Sequence, residues 1–156
     1  MKISDIYQQK ELTVSFEIFP PKGDLGVETL RSVLDTLGEQ RPDFISVTYS
    51  AGGGGNSHKT VELAGMIQNE YGLNAIAHLT CEEQVEASVT AMKAQGIENV
   101  LALRGDRMAG AAPGAFSHAT DLIAALRGEG FCIGGACYPE GHIESSGLAE
   151  DLEYLK

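Results

Sequence analysis

Six polar residues each stand at or just past the end of a short apolar run: Glu17, Thr48, His78, Arg104, Asp106 and Tyr138. Together they offer a carboxyl able to give or take a proton, an imidazole, hydroxyls, and a guanidinium suited to an anion. Singly, each has a structural explanation. A carboxylate within a strand, such as Glu17, serves as half of an ion pair, and a lone histidine such as His78 as a satisfied core residue. Recurrence at five consecutive run ends points instead to a ligand, because burying so many polar groups without one is costly. The loop over 50–60 (SAGGGGNSHKT) nearly spells the phosphate-binding pattern G-x-x-x-x-G-K-[ST]. Counted from Gly53 it reaches Lys59 and Thr60, but His58 stands at the second glycine, where a Cβ obstructs the turn around a phosphate. That leaves a glycine-rich strand-to-helix connection that permits close approach of a ligand.

The elements that position these groups alternate. Five β-type runs cover residues 13–19 (TVSFEIF), 44–49 (FISVTY), 75–80 (AIAHLT), 99–104 (NVLALR) and 132–138 (CIGGACY). Between them apolar residues recur with helical spacing: Leu30, Val33, Leu34 and Leu37; Val61, Leu63, Ala64 and Ile67; Val85, Val89 and Met92; Leu122, Ile123 and Leu126. A last helix begins at about Gly147, and Gly38, Gly72, Gly96, Gly128 and Gly130 fall where helix caps are wanted. Strand and helix alternating in this way mean βαβ units and a parallel sheet, either doubly wound and open or part of a (β/α)8 barrel. Each strand has one aliphatic face and one small or polar face, which suits helices on one side and a barrel lumen on the other. On the fourth run this reading assigns Leu101 and Leu103 to the helix side and Ala102 and Arg104 to the lumen. The expected fold is α/β, an incomplete (β/α)8 barrel of five parallel βα units forming one domain over 1–156.

Composition narrows the function classes. Among 156 residues, 11 Lys+Arg against 22 Asp+Glu give a net charge of −11, with 43% hydrophobic and 21% charged residues. That is an ordinary globular balance, and its acidity argues against a nucleic-acid or anionic-membrane binder. No apolar run approaches the roughly 18 residues of a membrane span, and the first residues lack a signal-peptide core, so a soluble, cytoplasmic protein is expected. Cys81, Cys132 and Cys137 read as small buried thiols rather than a disulfide framework or zinc site. His58 and His118 read as solvated, whereas His142, after the fifth run, could reach the same face as His78. No histidine pair has metal-ligand spacing, so no metal is expected, and no G-x-G-x-x-G follows a strand.

Five stretches at these strand ends, VSFEIFPP (14–21), FISVTYSAGGGGN (44–56), AHLTC (77–81), ALRGD (102–106) and ACYPEGH (136–142), resemble the methylenetetrahydrofolate reductase family in order and spacing. The resemblance implies a flavoprotein (β/α)8 barrel that reduces 5,10-methylenetetrahydrofolate to 5-methyltetrahydrofolate, with NADH or NADPH as electron donor and FAD as cofactor. It implies Glu17 as the general acid that protonates the folate, a task suited to a partly buried carboxyl. Thr48 would face the nicotinamide nucleotide. Tyr49, Ala51, His78, Arg104, Gly105, Asp106, Ala119, Tyr138, His142 and Asp151 would line the FAD, with Asp106 also touching the substrate's pterin. A homo-oligomer is implied at full length, and an electron-transfer partner subunit is left open.

Three departures accompany the resemblance. The family's Tyr-Ala-Ser-Asp is here His118-Ala119-Thr120-Asp121, and its proline after the loop histidine is Ile143. The family's barrel continues for three more strands, and five strands cannot close a barrel, so the short chain alone is expected to be inactive. The competing reading is a non-catalytic flavin-binding or assembly fragment, against which the retention of Glu17 and Asp106 argues. A P-loop-like nucleotide-binding protein is the third.

Overall fold

Alternating apolar residues in the strands, and apolar residues three and four apart in the helices, force two faces on each unit. The computed structural model, which describes residues 1–21, 27–49, 57–81, 85–106, 114 and 116–155, stacks those faces into one sheet covered by helices. The elements in chain order are α1 (Ile3–Gln9), β1 (Ser15–Ile18), α2 (Val27–Glu39), β2 (Phe44–Val47), α3 (Ser57–Asn69), β3 (Ala75–Thr80), α4 (Val85–Ala94), β4 (Asn99–Leu103), α5 (Ala119–Leu126), β5 (Cys132–Gly135) and α6 (Leu148–Leu155). Every strand pair is parallel, and the order is β1-β2-β3-β4-β5. Sequential order with parallel pairing is the arrangement of a (β/α)8 barrel; a doubly wound sheet would reverse direction at a switch point. The fold is an incomplete barrel of five βα units.

The core lies between the sheet and its helices. Ile45, Val47, Ala75, Ala77, Leu79, Val100 and Ala102 pack against Leu34, Ala64, Ile67, Met92, Leu122 and Leu126. Register assigns the opposite face: Glu17 is level with Ser46, Ser46 with Ile76, His78 with Leu101, and Leu101 with Gly134. This corrects the expectation for the fourth strand. Val100 and Ala102 are buried under the helices, while Leu101 and Leu103 are only half-buried and face the lumen with His78. A small residue at 102 lets α5 approach the sheet, so side-chain size was a misleading guide to the face.

Other boundaries also shift. β1, β2, β4 and β5 end one to three residues before the expected limits, so Phe19, Thr48, Tyr49, Arg104 and Tyr138 lie past the strand ends, although Thr48 N still donates to Ile18 O at 3.0 Å and Arg104 O accepts from Cys81 N at 3.3 Å. β5 is the shortest relative to expectation because it pairs with β4 alone and carries Gly134 and Gly135, which add no packing side chain. Gly38 lies inside α2, and the left-handed position after that helix falls to Arg41 at φ 51°. Gly72, Gly96, Gly128 and Gly130 adopt the positive φ expected of them. Cys81 is buried, but Cys137 is exposed past the end of β5. Among the described residues no helix is long and apolar enough to cross a membrane.

One element has no counterpart in the sequence reading. α1 is seven residues long, has no side-chain N-cap, and is too short to persist by propensity alone. Packing holds it. Ile3 and Ile6 cluster with Phe44, with Ile76 and Cys132 packed against them, which closes the lumen at the strands' N-terminal ends. Asn99, on the same face, accepts from Ile3 N at 2.8 Å and donates to the carbonyls of Met1 at 3.1 Å and Ala75 at 3.2 Å.

Candidate functional site

With α1 sealing one end, the polar lumen residues lie toward the other. β1, β2 and β3 bring the first group together. His78 is buried, and its Nε2 lies 2.7 Å from Ser46 Oγ and 3.8 Å from Glu17 Oε2. The Glu17 side chain is 54% exposed, so the partial burial expected of the general acid is not supplied by these five units. Thr48, one residue past β2, accepts at its backbone carbonyl from Thr60 Oγ1 at 3.1 Å. Its own Oγ1 is buried and makes no hydrogen bond among the described residues. An orphaned buried hydroxyl is costly, and a ligand group arriving at it would recover that cost.

Burial pushes the His78 imidazole below its ordinary pKa, and the nearby Glu17 carboxylate offsets this only in part. The ring is therefore neutral in the native state where the unfolded chain already binds a proton. Stability should fall as pH drops below about 6.5, the ordinary histidine value, and level off once the native imidazole also protonates. Urea midpoints between pH 7.5 and 5 should show this slope, and His78→Gln should flatten it. An equal slope in the variant would place its origin elsewhere.

A second group gathers where β4 and β5 end. Arg104 Nη1 lies 2.7 Å from Glu144 Oε2, so its guanidinium is paired with a carboxylate. Gly105 follows at φ 82°, and a Cβ there would come within 3.1 Å of Thr80 Cβ. Glycine is favoured at this point by the left-handed conformation, and the space for a side chain is tight. Asp106 is exposed. The Tyr138 and His142 rings meet edge to face at 4.7 Å. Asp151, in the first turn of α6, accepts from His142 N at 3.0 Å, so its carboxylate secures the loop that carries His142. Ala119 opens α5 directly after His118, whose backbone N–H donates to Asp121 at 3.0 Å and whose ring stacks on Tyr154 at 4.2 Å.

The contacts described link the expected residues in two groups: Glu17 and His78 on β1 and β3, with Thr48 just past β2, and Arg104, Gly105, Tyr138, His142 and Asp151 around the ends of β4 and β5 and α6. Tyr49 is half-buried just after β2. Ala51 and the glycine-rich stretch 50–56 lie outside the described residues, whereas 57–60, read as part of the loop, form the start of α3. Sequence reading missed Ser46 and Glu144. The alternation of Ser46 with Ile45 and Val47 was a signal for the first; for the second there was none, because its partner is 40 residues away.

A family model described as methylenetetrahydrofolate reductase matches residues 2–156. The chain belongs to this family. Methylenetetrahydrofolate reductase (NADH) 1 of Arabidopsis thaliana is 38% identical over 99% of the chain and 30% of its own length. The 5,10-methylenetetrahydrofolate reductase of Escherichia coli K12 is 35% identical over 95% of the chain and 51% of its own length. The chain therefore spans between about a third and a half of these relatives. A solved 4-hydroxy-tetrahydrodipicolinate synthase from Methylacidiphilum fumariolicum SolV superposes with a TM-score of 0.58 at 13% identity, covering 83% of this chain and 45% of that one. That likeness is one of fold, a barrel of which five units are present here.

Proposed function

We propose that residues 1–156 are the first five βα units of a flavin-binding (β/α)8 barrel that reduces 5,10-methylenetetrahydrofolate to 5-methyltetrahydrofolate with NADH or NADPH. The observation that carries this reading is the lumen grouping: a half-exposed Glu17 carboxyl beside a buried imidazole, with the unsatisfied Thr48 hydroxyl near the same strand ends. The exposed Leu148, Leu152 and Leu155 of α6, and Ile143 at 96% exposure, support further units against this edge.

The residues present fit FAD. Arg104 supplies a charge-assisted donor for a phosphate, Gly105 lets backbone approach closely, and the Tyr138–His142 pair offers a ring surface. Bound there, FAD would supply two-electron chemistry between nicotinamide and folate. The chain's own groups do the rest. Glu17 would hold the proton delivered to the folate nitrogen as the electrophile forms, Thr48 would orient the nucleotide or substrate with its free hydroxyl, and Asp106 would accept from the pterin's donors.

The test is cofactor binding in a protein of family length whose first five units are this chain. Added FAD fluorescence should be quenched, and Arg104→Ala should weaken binding by roughly tenfold or more, the loss expected for one charge-assisted phosphate contact. No quenching in that protein would count against the flavoenzyme reading.

A further inference from the structure

β2 lies between β1 and β3; Ser46 is the register partner of Glu17 on β1, and its hydroxyl meets the His78 ring of β3. A single ring nitrogen carries either one proton or one lone pair, and so has one in-line partner. At 2.7 Å Ser46 Oγ is that partner for His78 Nε2, while Glu17 Oε2 at 3.8 Å is outside hydrogen-bond range. Leu101 is the register partner of His78 on β4, so that side brings no charge; Glu17 is the charged group acting on the ring.

We propose that Ser46 is a positioning residue: its hydroxyl occupies Nε2 of His78 and so keeps the Glu17 carboxyl out of a direct ion pair, free to carry a proton. Without it, a buried ring nitrogen would be left unsatisfied within reach of a mobile carboxylate, and the two would close. The consequence for catalysis rests on the folate reading, because only there does Glu17 need its proton; the arrangement at His78 does not.

Proton NMR titration of the four histidines in the 156-residue chain tests it. Ser46→Ala should move the His78 midpoint upward, since the imidazolium gains a direct carboxylate partner. The rise should vanish in Ser46→Ala/Glu17→Gln, and Ser46→Thr, which keeps the hydroxyl, should titrate like the parent. A merely space-filling serine predicts a midpoint unchanged or lower, and either result overturns the proposal, as does a rise that persists without Glu17. Should Ser46→Ala not fold, Ser46→Cys, close in volume and a weaker partner, is read by the same criteria. In a protein of family length, Ser46→Ala should slow hydride transfer to folate by roughly tenfold with reduction by NAD(P)H unchanged. The titration shift in a protein that reduces no folate would uphold Ser46's role and overturn the folate reading instead.

Discussion

Glu17→Gln should slow the folate half of the reaction by roughly 100-fold or more, the usual cost of removing a general acid, while the nicotinamide half proceeds as before. The substitution preserves shape and hydrogen-bonding capacity but leaves no proton to give. Activating the folate needs that proton; passing a hydride from NAD(P)H to flavin does not. Flavin absorbance in a stopped-flow instrument separates the halves in a protein of family length. Equal slowing of both would mean that Glu17 holds the site together. Slowing of neither would return it to a structural partner of His78, a role its 3.8 Å separation already makes weak.

Asn99→Ala should cost about 2–4 kcal/mol of folding stability, the largest loss expected from any polar side chain described here. Asn99 is 2% exposed and satisfies Ile3 N, Met1 O and Ala75 O at once. Truncation leaves buried backbone groups without partners and releases α1 from the lumen floor. Urea unfolding measures the total, and amide exchange locates it: α1 and the lower ends of β3 and β4 should lose protection first. A loss below about 0.5 kcal/mol, within the range of an ordinary surface change, or an α1 that stays protected, would show that Ile3 and Ile6 hold the helix by apolar packing alone.

The two residues differ in how visible they were. Glu17 interrupts an apolar run with a carboxylate, and the same anomaly marks Thr48, His78 and Arg104; period-two alternation is local, so sequence records it directly. The five strands, their parallel pairing and the placement of most of the helices follow from the same periodicities. Asn99 opens a run that reads as an ordinary strand start, and nothing near it foretells that its amide will clamp a helix 96 residues away in the chain. α1 itself was invisible because seven residues carry too little periodicity and no cap.

What sequence determined by itself was therefore the repeating βα architecture, the family, and the polar residues set at the strand ends, because each depends on neighbours within a few positions. Which face of β4 looks into the lumen, the capture of His78 Nε2 by Ser46 rather than Glu17, and the engagement of Arg104 by Glu144 were decided only in the folded chain. Those outcomes depend on register between strands and on distances across the lumen. A shift of one residue in register would turn every side chain to the opposite face. Only tertiary packing selects the register, and with it the chemistry that each polar residue can reach.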